Sequence, residues 1–182
     1  YSYYNFNEFV LCLGYKSHTI KNYFLNYSKL QHDFQLDLLN KEALSLGESC
    51  TENWKITFAE TGLNALTGAR VYRVKKYIGK DKYFGITYGD GVADINIEEL
   101  FRFHKSHGRL MTVTGVHPPG RFGELKIDNT KVVGFNEKPQ ATEGWISGGF
   151  FICSNKVLDY FSSNEDLMLE KEPIEQITKA GE

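Results

Sequence analysis

The run Tyr83-Phe84-Gly85-Ile86-Thr87 passes directly into Tyr-Gly-Asp-Gly-Val-Ala-Asp at Tyr88–Asp94, and this junction constrains the fold more than any other stretch. A short apolar run bounded by turn residues reads as a buried strand, since a helix would need a longer periodic segment. Buried strands of this kind belong to open α/β sheets, where ligands sit beyond the carboxyl ends of the strands. Asp90 falls just past that end, between Gly89 and Gly91.

The rest of the chain supplies the alternation that such a sheet needs. Glu8–Gly14 reads as a buried strand and Lys16–Leu30 as a helix with Ile20, Tyr23, Phe24 and Tyr27 on one face. His32–Leu38 alternates like a half-exposed strand, and Asn40–Asn53 is polar and irregular. Lys55–Ala59 is a second alternating strand, leading through Glu60-Thr61-Gly62 to a helix over Thr67–Ile78. Asn96 is placed to cap a helix through His104, with Glu99 as its reciprocal partner and Gly108 as its stop. Strands follow at Leu110–Val116 and Trp145–Cys153, with an antiparallel hairpin, Glu124–Asp128 and Lys131–Asn136, added to the sheet. Asn155–Phe161 and Glu172–Ala180 read as closing helices. This order predicts a Rossmann-like, mostly parallel α/β sheet with right-handed crossovers, in a single domain.

At 182 residues with 41% hydrophobic content the chain can bury a substantial core. Its net charge of −2, without a long basic block, argues against a nucleic-acid or membrane surface, so a phosphate ligand must be held by local groups. Cys12, Cys50 and Cys153 are widely separated and odd in number, which predicts buried free thiols and a reducing cytoplasm. No stretch is apolar for the length of a membrane helix, and the start Tyr-Ser-Tyr-Tyr-Asn-Phe has no signal-peptide pattern.

Several residues have chemistry that their surroundings leave open. Asp90 suits Mg²⁺, a hard ion that takes one or two carboxylates while phosphates supply the rest, but Asp-Gly is also a common turn. Asp94 is placed either for the site or to close the loop. Gly89 and Gly91 would let a nucleotide approach the backbone. Glu137-Lys138-Pro139 offers a carboxylate for sugar hydroxyls and an ammonium for a phosphate, or a solvated turn. Gly148-Gly149, between Ile146 and Phe150, marks a bulge or a close approach, and Gly123 carries the same ambiguity. Arg121 serves a phosphate or a turn. Glu60-Thr61-Gly62 and Thr67-Gly68-Ala69-Arg70 frame a helix start whose free amides would suit an anion, although the spacing and Ala69-Arg70 exclude a P-loop. His104 and His107 lack a third metal ligand and fit a helix's last turn, where imidazolium opposes the dipole.

Taken in order, Gly14-Tyr15-Lys16, Thr61-Gly62, Thr67-Gly68, Tyr88–Asp94, Pro118–Gly123, Glu137–Pro139, Gly148–Phe151 and Glu172-Pro173 resemble the sugar nucleotidylyltransferases, most closely those that act with CTP on glucose 1-phosphate. The resemblance implies the nucleotide-diphospho-sugar transferase fold, a homo-oligomer, and attack of the glucose 1-phosphate oxygen on the α-phosphorus of CTP. It assigns Mg²⁺ to Asp90, the sugar phosphate to Lys138, the sugar to Glu137, Gly123 and Gly148, and the nucleotide to Thr61, Gly62 and Gly89. Ser147 stands where the family has asparagine. The family's Gly-Gly-x-Gly-Thr-Arg loop and its second metal-binding aspartate are not in the sequence, which predicts the central part of such an enzyme, either a fragment or a decayed copy, inactive alone. The other readings are a non-catalytic sugar-phosphate-binding or assembly protein of the same fold and a metal-dependent glycosyltransferase. The second would want Asp-x-Asp, whereas Asp90 and Asp94 are four apart.

Overall fold

The computed structural model describes residues 1–47, 52–118, 124–136 and 144–182, and divides them into two compact units. Tyr1–Lys80 and Lys156–Glu182 form the first; Asp81–Asn155 form the second. Gly123, Arg121, Glu137, Lys138 and Cys50 lie outside the described residues.

The first unit is built on two parallel strands, β1 (Glu8–Leu13) and β4 (Lys55–Glu60), in register from Glu8 opposite Lys55 to Leu13 opposite Glu60. The expected single helix after β1 is two, α1 (Ser17–Leu25) and α2 (Tyr27–Gln31), interrupted at Asn26, and neither has a buried residue. Phe24 and Tyr27 still turn inward, packing on Phe58 of β4 and on Trp54. Between α2 and β4 the chain forms a hairpin of β2 (Phe34–Asp37) and β3 (Glu42–Ser45). The second of these strands lies inside the segment expected to be irregular. Its partner and the turn explain it: the Asp37 carboxylate accepts from the Leu39 and Asn40 amides, and Lys41 adopts φ 57°.

After β4, the expected Thr67–Ile78 helix is broken at Val74 into α3 (Thr67–Arg73) and α4 (Lys75–Ile78). Ala69, Val71 and Val74 are buried, as are Val157, Leu158, Leu167, Leu169 and Ile177 from the C-terminal stretch. That stretch contains a 3₁₀ helix at Asn155–Tyr160 in place of the expected α-helix, and α6 (Glu172–Lys179), which starts with Pro173 in its first turn.

The second unit centres on β9 (Ile146–Ser154), which runs antiparallel between β5 (Tyr83–Thr87) and β6 (Met111–Val116). β5 and β6 thus point the same way, with an antiparallel strand inserted between them, and the fold class is α/β with parallel and antiparallel pairs. β9 carries the core, Phe150 to Cys153 being buried, whereas β5 is half exposed rather than buried because β9 is its sole partner among the described residues. α5 (Ile97–His107) lies against β6 and β9 and has the expected ends: the Asn96 side chain accepts from the Glu99 amide, and Gly108 sits in the left-handed region at φ 68°. β7 (Glu124–Asp128) and β8 (Lys131–Asn136) pair as expected, but as a separate two-stranded sheet rather than an extension of the larger one.

Candidate functional site

In the first unit the candidate residues gather at the carboxyl ends of β1 and β4. The Thr61 amide and hydroxyl both donate to the Leu13 carbonyl at 2.8 Å, tying the two strand ends together. Arg70 Nη1 then donates to Thr61 Oγ1 at 2.7 Å and to the same Leu13 carbonyl at 3.2 Å, and Arg73 Nη1 donates to the Thr61 carbonyl at 2.5 Å. Thr61 is consequently 1% exposed. Its side chain is buried within this end, and Gly62 and Arg70 beside it are half-buried.

Close backbone approach and backbone conformation explain the glycines. A side chain on Gly14 would begin 2.6 Å from the Gly62 carbonyl oxygen, and Gly62 itself stands at φ 98°, with Arg73 Nη1 against the place its Cβ would take. Arg73 is balanced by Glu165 at 3.6 Å, whereas Arg70 has no ion-pair partner among the described residues. Glu60, just before Thr61, is held by hydrogen bonds from Lys21 and Ser17 that keep its carboxyl below the usual range. In the sequence Arg70 stands out only as part of a helix start suited to an anion; no local pattern announces which strand ends a helical arginine will reach.

The anion site expected at the α3 amino terminus is occupied by the chain itself. Leu66 N donates to the Glu165 carbonyl at 2.9 Å and Ala69 N to the Leu167 carbonyl at 3.1 Å. Thr67 Oγ1 donates to Glu170 and accepts from Leu169 N, both at 2.9 Å. These contacts span about a hundred residues of sequence and take up the Leu66 and Ala69 amides.

The second unit contributes the loop after β5. Tyr88 to Gly91 makes a tight turn closed by the Gly91 amide on the Tyr88 carbonyl at 3.3 Å. Asp90 and Asp94 are exposed, and neither carboxylate has an ion-pair or hydrogen-bond partner among the described residues. Gly89 and Gly91 have negative φ, and a side chain on Gly89 would meet nothing within 4 Å. Opposite this loop, Gly149 takes φ 78°, accepts from the Tyr88 amide at 3.3 Å and lies so close to the Tyr88 ring that a Cβ would be 2.9 Å away. Gly148 sits where the β6–β9 register shifts, against Val116 and the Thr114 carbonyl. The Gly148-Gly149 pair is therefore a β-bulge required by packing, with the Ser147 hydroxyl accepting from the Gly149 amide at 3.2 Å.

No group of three potential metal ligands exists among the described residues, so a metal at this loop would rest on Asp90 with most of its ligands supplied from outside the protein. That donor set fits Mg²⁺ held jointly with phosphates and does not fit an all-protein cage. His104 and His107 belong to no group of three potential metal ligands among the described residues; His104 is fully buried, which lowers its pKa and disfavours the imidazolium expected opposite the helix dipole, and it hydrogen-bonds with Thr112. Cys153 is buried as expected, with burial pushing its thiol up, but Cys12 is exposed on the outer face of β1. An aromatic groove of about 400 Å³, lined by Phe24, Tyr27, Trp54, Ile56 and Phe58, contains none of the expected site residues. No helix among the described residues is long and apolar enough to cross a membrane.

Comparison with known proteins gives the following. The family model described as nucleotidyl transferase matches residues 4–181. A probable glucose-1-phosphate cytidylyltransferase of Bacillus subtilis (strain 168) is 43% identical over the whole chain, and the glucose-1-phosphate cytidylyltransferase of Salmonella typhi 38%. The chain spans 70% of the length of each. Among solved structures, UTP-bound UGPase from Acinetobacter baumannii superposes on 95% of this chain and 66% of its own, with TM-score 0.58 and 14% identity. HddC from Yersinia pseudotuberculosis, complexed with GMP-PN, covers 90% of this chain and 62% of its own, with TM-score 0.56 and 20% identity. These two share the fold.

Proposed function

The chain belongs to the nucleotidyl transferase family, and from that premise we propose that the protein transfers the cytidylyl group of CTP to glucose 1-phosphate, giving CDP-glucose and pyrophosphate. Identity of 43% and 38% along the entire chain to two proteins named for that activity is the observation that carries the choice of nucleotide and sugar. Relatives named mannose-1-phosphate guanylyltransferases match more weakly, one of them at 35% identity over 42% of the chain.

In this reaction a glucose 1-phosphate oxygen attacks the α-phosphorus of CTP, a P–O bond forms, and the bond to the β-phosphate breaks to release pyrophosphate. The protein has little covalent work to do; alignment and charge neutralisation supply the acceleration. Asp90 would hold Mg²⁺, which when bound neutralises phosphate charge and orients the triphosphate. Arg70, with its free N–H groups at the ends of β1 and β4, would act on phosphate or base, and the Gly62 and Gly89 backbones would lie along the nucleotide. Lys138 would hold the sugar phosphate, and Glu137, Gly123 and Gly148 the sugar. That Gly89 has no packing reason to be glycine supports a ligand as the cause.

We further assign the protein to a homo-oligomer. On the β2–β3 hairpin, Phe34, Leu36 and Ala43 share one exposed face with Ser45, and Leu44 is exposed on the other beside Gln35, Asp37 and Glu42; a lone two-stranded hairpin with uncovered apolar residues lacks independent stability. The free thiols Cys12 and Cys153 support a reducing cytoplasm. A pyrophosphate-release assay on the protein carrying this sequence, with Mg²⁺ and glucose 1-phosphate, tests the reading: turnover with CTP at least tenfold above that with GTP or UTP is expected, and preference for another nucleotide would overturn it.

A further inference from the structure

Outside the residues assigned to nucleotide and sugar, the second unit has a polar cluster where α5 meets β6, buried at His104 and Thr112, half-buried at His107 and exposed at Arg109. His107 Nδ1 accepts from the Arg109 amide at 3.1 Å, so this nitrogen carries no proton and the proton of the neutral ring is on Nε2. His107 Nε2 lies 2.7 Å from Thr112 Oγ1 and donates to it. The Thr112 hydroxyl, having accepted from one ring, has one proton to give, and His104 Nδ1 is 2.8 Å away. His104 therefore carries its own proton on Nε2, which is buried without a partner among the described residues.

We propose that Arg109, His107, Thr112 and His104 form a one-directional hydrogen-bond chain that latches α5 onto β6 while the His104 imidazole is neutral. Acidification releases that contact and loosens the segment carrying Asp90 and Asp94, since α5 begins immediately after it, at Asn96. A second proton on His104 would have to sit on Nδ1, and the Thr112 hydroxyl could accept it only by turning its own hydrogen away, leaving that buried hydrogen without the His104 acceptor.

The surroundings offer an added charge no compensation. From α5, His107 lies edge-on to His104 with ring centres 5.3 Å apart. From β5, Tyr83 faces the His104 ring at 5.4 Å, with Lys82 and Lys105 both over the tyrosine ring. From β6 come Thr112 and, just before it, Arg109; from β9, the buried Cys153 thiol and the buried Ser154 hydroxyl. No carboxylate is ion-paired to either imidazole among the described residues, and the nearby charges are cationic. Burial, and then the neighbouring His107, lower the His104 pKa from 6.5. Between its folded and unfolded values the unfolded chain binds the extra proton, so the latch's stability is complete above about pH 6.5 and drains away below it.

Nitrogen-15 spectra of labelled histidine in the unmodified chain test the wiring. At pH 7.5 the His104 and His107 rings should both show protonated Nε2 and bare Nδ1. Hydrogen-exchange protection of α5 and β6 amides, corrected for intrinsic rates, should fall between pH 7 and 5.5 in the wild type and hold steady in His104→Gln and His104→Phe, with each unit of pKa depression equivalent to a tenfold change in protection. A proton on Nδ1 of either ring at pH 7.5 overturns the proposal, as does an undiminished acid-dependent loss in both variants. The spectra decide the question even if neither variant folds.

Discussion

The ends of β4 and β5 are both the strand-to-loop junctions at which α/β proteins place ligands, yet they are built in opposite ways. At the end of β4, Thr61 uses its amide, hydroxyl and carbonyl within the fold, and Gly62 is glycine because φ 98° and the Arg73 guanidinium permit little else. At the end of β5, Asp90 has no partner among the described residues and Gly89 has open space where a side chain would go. A residue the fold uses reports on stability; a polar residue the fold leaves idle, flanked by glycines without a packing duty, reports on something that arrives from outside.

The largest expected effect separates the two ends directly. Asp90→Asn in the protein carrying this sequence should cost about two to three decades of Mg²⁺-dependent turnover, as loss of a metal-bound carboxylate removes several kcal/mol from the transition state. The urea unfolding midpoint of the 182-residue chain should stay put, because no interaction within the fold is lost. Near wild-type kinetics at limiting Mg²⁺ would remove the metal role, and a clear drop in midpoint would show that the carboxylate has a structural partner.

How much of this was legible beforehand follows the distance over which each interaction acts. Asn96 and Gly108 mark the ends of α5 because capping is local, and the strand around Tyr83 announces Asp90 because the run and its glycines are contiguous. Residues Glu42–Ser45 carry no apolar alternation, so β3 becomes visible once its partner Phe34–Asp37 is known. The anion site expected at Thr67–Arg70 is filled by residues about a hundred positions away, and Arg70 reaches a carbonyl fifty-seven positions back; neither contact leaves a local trace. Likewise Glu8–Gly14 reads as a buried strand, whereas β1 is half-buried for most of its length, and nothing in Cys12 itself says that it is exposed.

The reverse signature belongs to the end of β4. Thr61→Val keeps the shape but leaves the Leu13 carbonyl and the Arg70 guanidinium each short of a buried partner, at an expected cost of about 1–3 kcal/mol. Gly149→Ala in the second unit should cost a similar ~1–3 kcal/mol, from φ 78° and the Tyr88 ring at 2.9 Å from the new carbon. Chemical denaturation followed by circular dichroism measures both. If Thr61→Val were neutral in stability while abolishing nucleotide binding, the threonine would be a ligand contact and the contrast between the two strand ends would collapse.

The smallest effect is the sharpest discriminator. Gly89→Ala adds one carbon at a residue of negative φ with nothing within 4 Å, so the fold should tolerate it to within about 0.5 kcal/mol, and reduced freedom of the unfolded chain could even stabilise it. A nucleotide lying along the backbone would not tolerate it, because the same carbon would stand in its path. The expected outcome is an unchanged unfolding midpoint together with a CTP affinity, measured by calorimetry, several-fold weaker than wild type. Unchanged affinity would mean that nothing approaches this glycine, and Asp90 would then be the one residue of the turn reserved for the reaction. A lowered midpoint would place the loop's glycines in the same class as Gly62 and Gly149, shaped by the protein's own packing.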